Sequence, residues 1–315
     1  MSERERGGEH RADELPSLLP AALGEGEKLK VVATTSIVGD VVQKVGEDLI
    51  ELENLMPAGT DPHSFEPTPR DIAAVADAHV VFANGLGLEA FLDPLLESAG
   101  AADKVVYVSH GIELIVLAKE DEQEKDGEEH EEGDGDLDHE ETDPHTWLDP
   151  SNVVVWVRNI AHALSALDPA HAEVYAAHAE AYEVELEKLD AWIRAQLAQV
   201  PDENRKLVTD HATFGYFVRR YGFEQIGTVF PGHSTLAEPS AKDLAALEDA
   251  IREFDVKAIF VGLSVRPGLA ERVAEDTGTR LVHLYTGSLS EAGGPAEDYL
   301  SLMRYDVCAI AEALR

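Results

Sequence analysis

Basic residues are scarce in this 315-residue chain, which has 25 Lys and Arg against 62 Asp and Glu and a formal net charge of -37. Proteins bind nucleic acids through Lys and Arg contacts to phosphates. The composition therefore argues against a nucleic acid as partner, and it suits a soluble protein that encounters cations.

Cysteine is nearly absent, since Cys308 is the only one. Neither a disulfide framework nor a thiolate zinc cluster can therefore form within one chain. Cys308 lies in the apolar stretch Val307-Cys308-Ala309-Ile310, which predicts a buried, inert thiol.

Long apolar runs are missing as well, because no segment reaches the roughly 18 apolar residues of a membrane span. Residues 1–30 are polar and charged, and Leu15 to Leu23 is too short and too interrupted by proline for the apolar region of a signal peptide. We expect residues 1–28 to be a disordered segment without a visible export signal.

The apolar residues that are present, 44% of the chain, recur in short β-branched runs separated by segments of helical period. This alternation predicts an α/β protein with mostly parallel sheets flanked by helices. The length predicts two lobes, because one core rarely grows so large. The predicted strands are Leu29–Thr35, His79–Ala83, Lys104–Val108, Lys206–Thr209, Gln225–Phe230, Lys257–Val261 and Arg280–Tyr285.

A long helix is predicted from Pro169 to about Gln199, a stretch without an internal glycine or proline. At 1.5 Å per residue this helix would be roughly 45 Å long and would rigidly connect the lobes. The predicted division is an N-terminal lobe over 29–168, the connecting helix over 169–199 and a C-terminal lobe over 200–315.

An acidic segment interrupts the N-terminal lobe. Residues 119–143 contain fifteen Asp or Glu and two Lys, together with His130 and His139. Such a segment buries too little apolar surface to offset its ordering entropy, so we expect a disordered loop. Its charge would raise the local cation concentration, and its histidines would bind zinc transiently; the alternative is a solvated insertion without a role.

Three of the thirteen histidines lie in predicted strand-to-helix connections, where α/β lobes place ligand-binding groups. They are His63, His145 and His211, and proline precedes the first two. Three neutral imidazoles suit zinc and leave a fourth position for water or a carboxylate. Other histidines, such as His171 and His178 on the long helix, are predicted to be solvated or packed.

Five motifs occur in an order that resembles the zinc/manganese solute-binding proteins of ABC transporters, over about residues 29–315. They are Asp61-Pro62-His63-Ser64-Phe65-Glu66-Pro67-Thr68-Pro69, Asn84-Gly85-Leu86-Gly87-Leu88-Glu89, Asp143-Pro144-His145-Thr146-Trp147-Leu148-Asp149-Pro150, Asp210-His211-Ala212-Thr213-Phe214-Gly215-Tyr216 and Ala237-Glu238-Pro239-Ser240-Ala241-Lys242-Asp243-Leu244.

The resemblance implies two lobes joined by a rigid helix, with His63, His145 and His211 as ligands of a divalent metal held between them. It implies delivery of that metal to the membrane permease of an ABC importer, residence outside the cytoplasm as a periplasmic or cell-surface lipoprotein, and no enzymatic activity. We expect a monomer. The acidic loop resembles that of the zinc-importing branch.

One position departs from the family pattern. Many relatives place an aspartate ligand where this chain has Gly287, so the fourth ligand is left to water, Glu238 or a group of the 119–143 loop. Histidine at position 211 favours zinc over manganese as the transported ion, because manganese prefers oxygen ligands.

Two other functions fit the same residues. A zinc hydrolase also uses three histidines and a water, but the sequence contains neither HExxH nor Gly-x-Ser-x-Gly. A secreted adhesin or metal buffer that never contacts a transporter is the second alternative.

Overall fold

The computed structural model describes residues 18–24, 26–116 and 142–315, which form two α/β lobes. Each lobe contains one parallel four-stranded sheet, and the two sheets have the same strand order, β2-β1-β3-β4 and β6-β5-β7-β8. The strands are β1 (Leu29–Ala33), β2 (Ile50–Asn54), β3 (Val80–Ala83), β4 (Val105–Tyr107), β5 (Lys206–Thr209), β6 (Glu224–Thr228), β7 (Ala258–Gly262) and β8 (Arg280–Leu284).

Helices cover both faces of each sheet, as parallel strands require. They are α1 (Ser36–Gly46), α2 (Pro69–Asp77), α3 (Leu92–Ala99), α4 (Pro150–Leu167), α5 (Ala172–Leu197), α6 (Gly215–Tyr221), α7 (Ala241–Glu253), α8 (Gly268–Thr277) and α9 (Tyr299–Leu314). The carboxylates of Asp71 and Asp243 accept the backbone N–H of Thr68 and Ser240, so α2 and α7 begin with capping boxes.

The predicted long helix is α5, which has 26 residues and is therefore about 39 Å long. It packs against α1 and α4 of the N-terminal lobe and against α9 of the C-terminal lobe. One apolar core consequently runs through both lobes, from Leu29 to Leu314, with Tyr182, Leu186 and Leu189 of α5 buried in it. A connection packed along its length holds the two lobes in a fixed relation.

Strand β2 was absent from the predicted strands. Its residues alternate between apolar and acidic, Ile50-Glu51-Leu52-Glu53-Asn54, and it lies at the edge of its sheet with most side chains half-buried or exposed. The prediction relied on β-branched runs, and this strand contains only one β-branched residue.

The prediction of a buried thiol is wrong, because Cys308 is exposed. Its neighbours Val307 and Ile310 are buried. Successive residues of a helix are rotated by about 100°, so Cys308 follows Val307 onto another face of α9.

The two segments predicted to be disordered lie largely outside the described residues. Of residues 1–28, the stretch 18–24 contacts the N-terminal lobe: Leu18 and Leu23 pack against the core, and the N–H of Ala21 donates to the carbonyl of Leu167. Of residues 119–143, only Thr142 and Asp143 are described. Within the described ranges, no helix combines the length and the apolar character needed to cross a membrane.

A buried carboxyl group lies beside the end of β8. Oδ1 of Asp306 on α9 accepts the N–H of Tyr285 at 2.8 Å, while its Oδ2 is buried without a partner among the described residues. Burial raises the pKa of Asp306 from 3.8 to about 7. The fold therefore favours the protonated acid.

We expect this group to make the protein less stable as pH rises from about 4 to about 7, because the folded state binds the proton more tightly than the unfolded state. The full effect is a decrease of about 4 kcal/mol in the free energy of unfolding. Asp306→Asn should remove it, so the variant should gain stability over the parent at pH 8 but not at pH 4. Urea unfolding of the metal-free proteins measures this. The exposed Asp249→Asn is the matched control, and parallel pH profiles for D306N and the parent would contradict the assignment.

Candidate metal centre

The three predicted histidines meet in the cleft between the lobes. His63 lies between β2 and α2, His145 between β4 and α4, and His211 between β5 and α6. All three follow the carboxyl ends of parallel strands, which is where open α/β sheets place ligand-binding loops. His145 and His211 are buried, and His63 is half-buried.

The distances between the ring nitrogens match the requirements of one small ion. Nε2 of His145 lies 3.2 Å from Nε2 of His63 and 3.2 Å from Nε2 of His211. Two nitrogens bound at 2.0–2.1 Å to a tetrahedral ion are separated by about 3.3–3.4 Å. The ligand atoms of all three histidines lie within 4.8 Å of one another, so a modest adjustment would bring them onto one ion.

Two buried carboxylates orient the imidazoles. Nδ1 of His145 is 2.8 Å from Oδ1 of Asp143, and Nδ1 of His211 is 2.7 Å from Oδ1 of Asp210. Each Nδ1 therefore carries the proton and donates it, which leaves the Nε2 lone pair facing the other rings. Burial and the neighbouring imidazoles hold the pKa of His145 well below 6.5, so this ring stays neutral.

His63 is held through its backbone. Its N–H donates to Oδ1 of Asp61 at 3.0 Å, and Oδ2 of Asp61 accepts the hydroxyl of Thr235, from the other lobe, at 2.7 Å. Burial, with smaller effects from His145 and His211, lowers the pKa of His63 to about 3. A neutral imidazole is the form that binds a metal.

A small cavity of about 10 Å³ adjoins the three rings, which is about the space of one water or ion. Its lining comprises Asp61, Pro62, His63, His145, His211, Thr213, Ser264, Val265, Thr286 and Gly287. Gly287 thus lies at the site, where a Cβ would be 3.1 Å from Cδ of Pro62. Glu238, one of the groups considered for the fourth position, is exposed to solvent and is not part of this lining.

A second group of potential ligands shares one histidine with the first. Asp143, His145 and His233 also have ligand atoms within 4.8 Å. His233 is buried, its Nδ1 lies 2.5 Å from the carbonyl of Ala212, and its Nε2 has no partner among the described residues. In this group Asp143 already accepts the Nδ1–H of His145, and Nε2 of His145 faces His63 and His211 instead. The three facing Nε2 atoms are therefore the better site.

Four residues of this site were not among the predicted site residues: Asp143, Asp210, Thr213 and His233. A signal for the carboxylates was present, since an aspartate stands one or two residues before each of the three histidines. Buried carboxylates commonly accept the second ring proton of a metal-binding histidine. Thr213 and His233 carry no comparable sequence signal.

Solved structures with this fold define its class. The periplasmic zinc binding protein TroA from Treponema pallidum superimposes with a TM-score of 0.79 and 28% identity, covering 91% of this chain and 99% of that one. A Mn-bound periplasmic metal binding protein from Candidatus Liberibacter asiaticus gives 0.77 and 26%, covering 92% and 100%. The class is that of the metal-binding substrate-binding proteins.

Sequence similarity shows the family to which this chain belongs. The model of the family described as zinc-uptake complex component A, periplasmic, matches residues 31–313, and the chain belongs to this family. The manganese-binding lipoprotein MntA of Halalkalibacterium halodurans is 34% identical, covering 92% of this chain and 90% of its own. The manganese ABC transporter substrate-binding lipoprotein PsaA of Streptococcus pneumoniae serotype 4 is 32% identical with the same coverage.

Family membership decides between an enzyme and a metal-binding transport protein. The chain is a metal-binding substrate-binding protein of an ABC transporter and not an enzyme. Its partners are a metal ion and the membrane components of the transporter.

The pairing of Asp210 with His211 leads to a test. Asp210→Asn would remove the negative charge behind the imidazole of His211. It would also place an amide N–H₂ next to the N–H of Gly262, which now donates to Oδ2 of Asp210 at 2.7 Å. We expect zinc affinity to fall about 10- to 100-fold, as measured by competition with a chromophoric chelator. Asp168→Asn breaks an Asp–His pair at His171, outside the site, and should leave the affinity unchanged. Equal affinities for D210N and D168N would contradict the role of Asp210.

Proposed function

We propose that this protein captures Zn²⁺ in preference to Mn²⁺ with His63, His145 and His211, and hands it to the permease of an ABC importer outside the cytoplasm. The observation that carries the proposal is the donor set. Three imidazole nitrogens face one another, with 3.2 Å between His145 Nε2 and each of the other two Nε2 atoms. A site of this composition suits zinc.

The choice of metal depends on what the fourth position offers. Manganese favours carboxylate, carbonyl and water oxygens, whereas imidazole suits zinc. Gly287 contributes no side chain at the position where the family resemblance implies an aspartate ligand. The remaining carboxylate in the cavity lining, Asp61, accepts hydrogen bonds from His63, Ser64 and Thr235 through its two oxygens. These three hydrogen bonds hold the carboxylate of Asp61 to its own loop and to the other lobe.

The names of relatives differ in the metal they carry. MntA and PsaA are named for manganese, and TroA for zinc. Family membership alone therefore leaves the cargo open, and the donor atoms of this chain support zinc. Relatives named lipoproteins support residence outside the cytoplasm.

Competition titrations of the purified protein with Zn²⁺ and Mn²⁺ test the cargo. We expect zinc to bind more tightly, because the Irving–Williams order and the nitrogen donors act in the same direction. His145→Ala removes one of the three nitrogen donors, a loss of about 3 kcal/mol or a factor of about 100 in zinc affinity. His171→Ala, at the start of the long helix, is the matched control. Tighter binding of manganese would contradict the proposal.

The glycine at position 287 makes the selectivity adjustable. Gly287→Asp would add a carboxylate at the cavity, after a shift of a few tenths of an ångström against Pro62. We expect the ratio of manganese to zinc affinity to rise, since an oxygen donor joins the set. Gly268→Asp places the same charge in open space at the start of α8 and should leave the ratio unchanged. An unchanged ratio in G287D would show that this position does not face the ion.

A further inference from the structure

The hydroxyl of Thr213 lies on the side of the site where the ion would bind. Thr213 is fully buried, lines the cavity beside the three histidines, and belongs to the loop between β5 and α6. Its Oγ1 is 2.8 Å from Nε2 of His211, and its other contact, with the carbonyl of His211, is long at 3.4 Å.

The contact at Nδ1 of His211 decides which group donates in the short hydrogen bond between Thr213 and Nε2 of His211. Nδ1 of His211 donates to Asp210, so the lone pair of the neutral ring is on Nε2. The hydroxyl of Thr213 therefore donates to that lone pair in the metal-free protein.

An ion bound by His211 takes the lone pair that Thr213 now uses. The buried hydroxyl then keeps only its long contact with the carbonyl of His211, at 3.4 Å, and buried polar groups are almost always well hydrogen-bonded. The ion would lie about 2.0–2.1 Å from Nε2, and the hydroxyl is 2.8 Å from the same atom. The ion and its other ligands would therefore lie next to the hydroxyl, and a ligand on the ion can become its new acceptor.

The fourth ligand of the ion is the group that meets this need. Gly287 has no side chain to offer, and the carboxylate of Asp61 already accepts three donors. A water that completes the tetrahedron would have an oxygen able to accept from Thr213.

We infer that Thr213 is the positioning residue for the fourth ligand: on metal binding its hydroxyl transfers its hydrogen bond from Nε2 of His211 to a water on the ion. This inference rests on the proposed metal site at His63, His145 and His211, and it identifies a residue that holds the fourth position without a carboxylate.

Removing the hydroxyl of Thr213 would change zinc affinity in opposite directions under the two possible roles of this residue. If Thr213 only orders His211 in the empty site, Thr213→Val removes a competitor for the Nε2 lone pair, and zinc affinity stays equal or rises. If Thr213 positions the metal-bound water, the same variant weakens zinc binding by about 10- to 100-fold, the usual effect of an outer partner of a metal site.

The experiment compares the full-length protein with its T213V and T213S variants. Zinc affinity is measured by chelator competition, and visible absorption of the Co²⁺-loaded proteins reports the coordination of the ion. We expect T213V to lose about 10- to 100-fold in affinity and to change the Co²⁺ spectrum. T213S, which keeps the hydroxyl, should retain the parent spectrum and an affinity within a few-fold of the parent.

Two controls separate this inference from folding and from the proposed function. Thermal unfolding of the metal-free variants shows whether T213V is folded, and Thr277→Val, at the end of α8, is the matched substitution away from the site. Zinc affinity of T213V equal to or above that of the parent, with an unchanged Co²⁺ spectrum, would overturn the role of Thr213 while leaving the three-histidine site in place. Failure of the parent to bind zinc would instead overturn the proposed function.

Discussion

The facing ring nitrogens of three imidazoles are the constraint on which the site depends. Asp143 and Asp210 accept hydrogen bonds from the Nδ1–H groups of His145 and His211, so the two Nε2 lone pairs of these buried rings lie 3.2 Å apart. Such nitrogens repel one another unless a cation lies between them. The fold holds them there because both rings are buried and each donates its Nδ1–H to a buried carboxylate.

Rigidity of the scaffold follows from the way its halves are connected. Helix α5 packs against helices of both lobes, and one core continues through them. Near the site, Nε1 of Trp147 donates to the carbonyl of Thr286, and the hydroxyl of Tyr216 donates to the carbonyl of Asp143, so hydrogen bonds also join the lobes there. Metal release is therefore expected to involve the loops at the cleft more than a wide separation of the lobes.

The negative charges at the site belong to residues that contact the histidine ligands and are not ligands themselves. Asp61, Asp143 and Asp210 stand behind the three histidines and hydrogen-bond to their rings or backbone. They supply negative charge near a dication without becoming ligands, while the ligands themselves remain nitrogen atoms. In the function proposed above, this separation of charge from coordination supports zinc as the cargo, in a chain whose relatives include proteins named for manganese.

The sequence by itself determined the α/β class, the long helix and the three histidines, because these depend on local patterns: β-branched runs, a stretch without glycine or proline, and motifs at strand ends. It did not determine β2, because Ile50 and Leu52 form a strand only through their pairing with β1. It also did not determine the exposure of Cys308, which depends on the face of α9 that meets the core. The contacts of Thr213 and His233 were likewise decided only by the tertiary structure. Hydrogen bonds such as that between Thr235 and Asp61 join residues far apart in the chain, and only folding brings such residues within bonding distance.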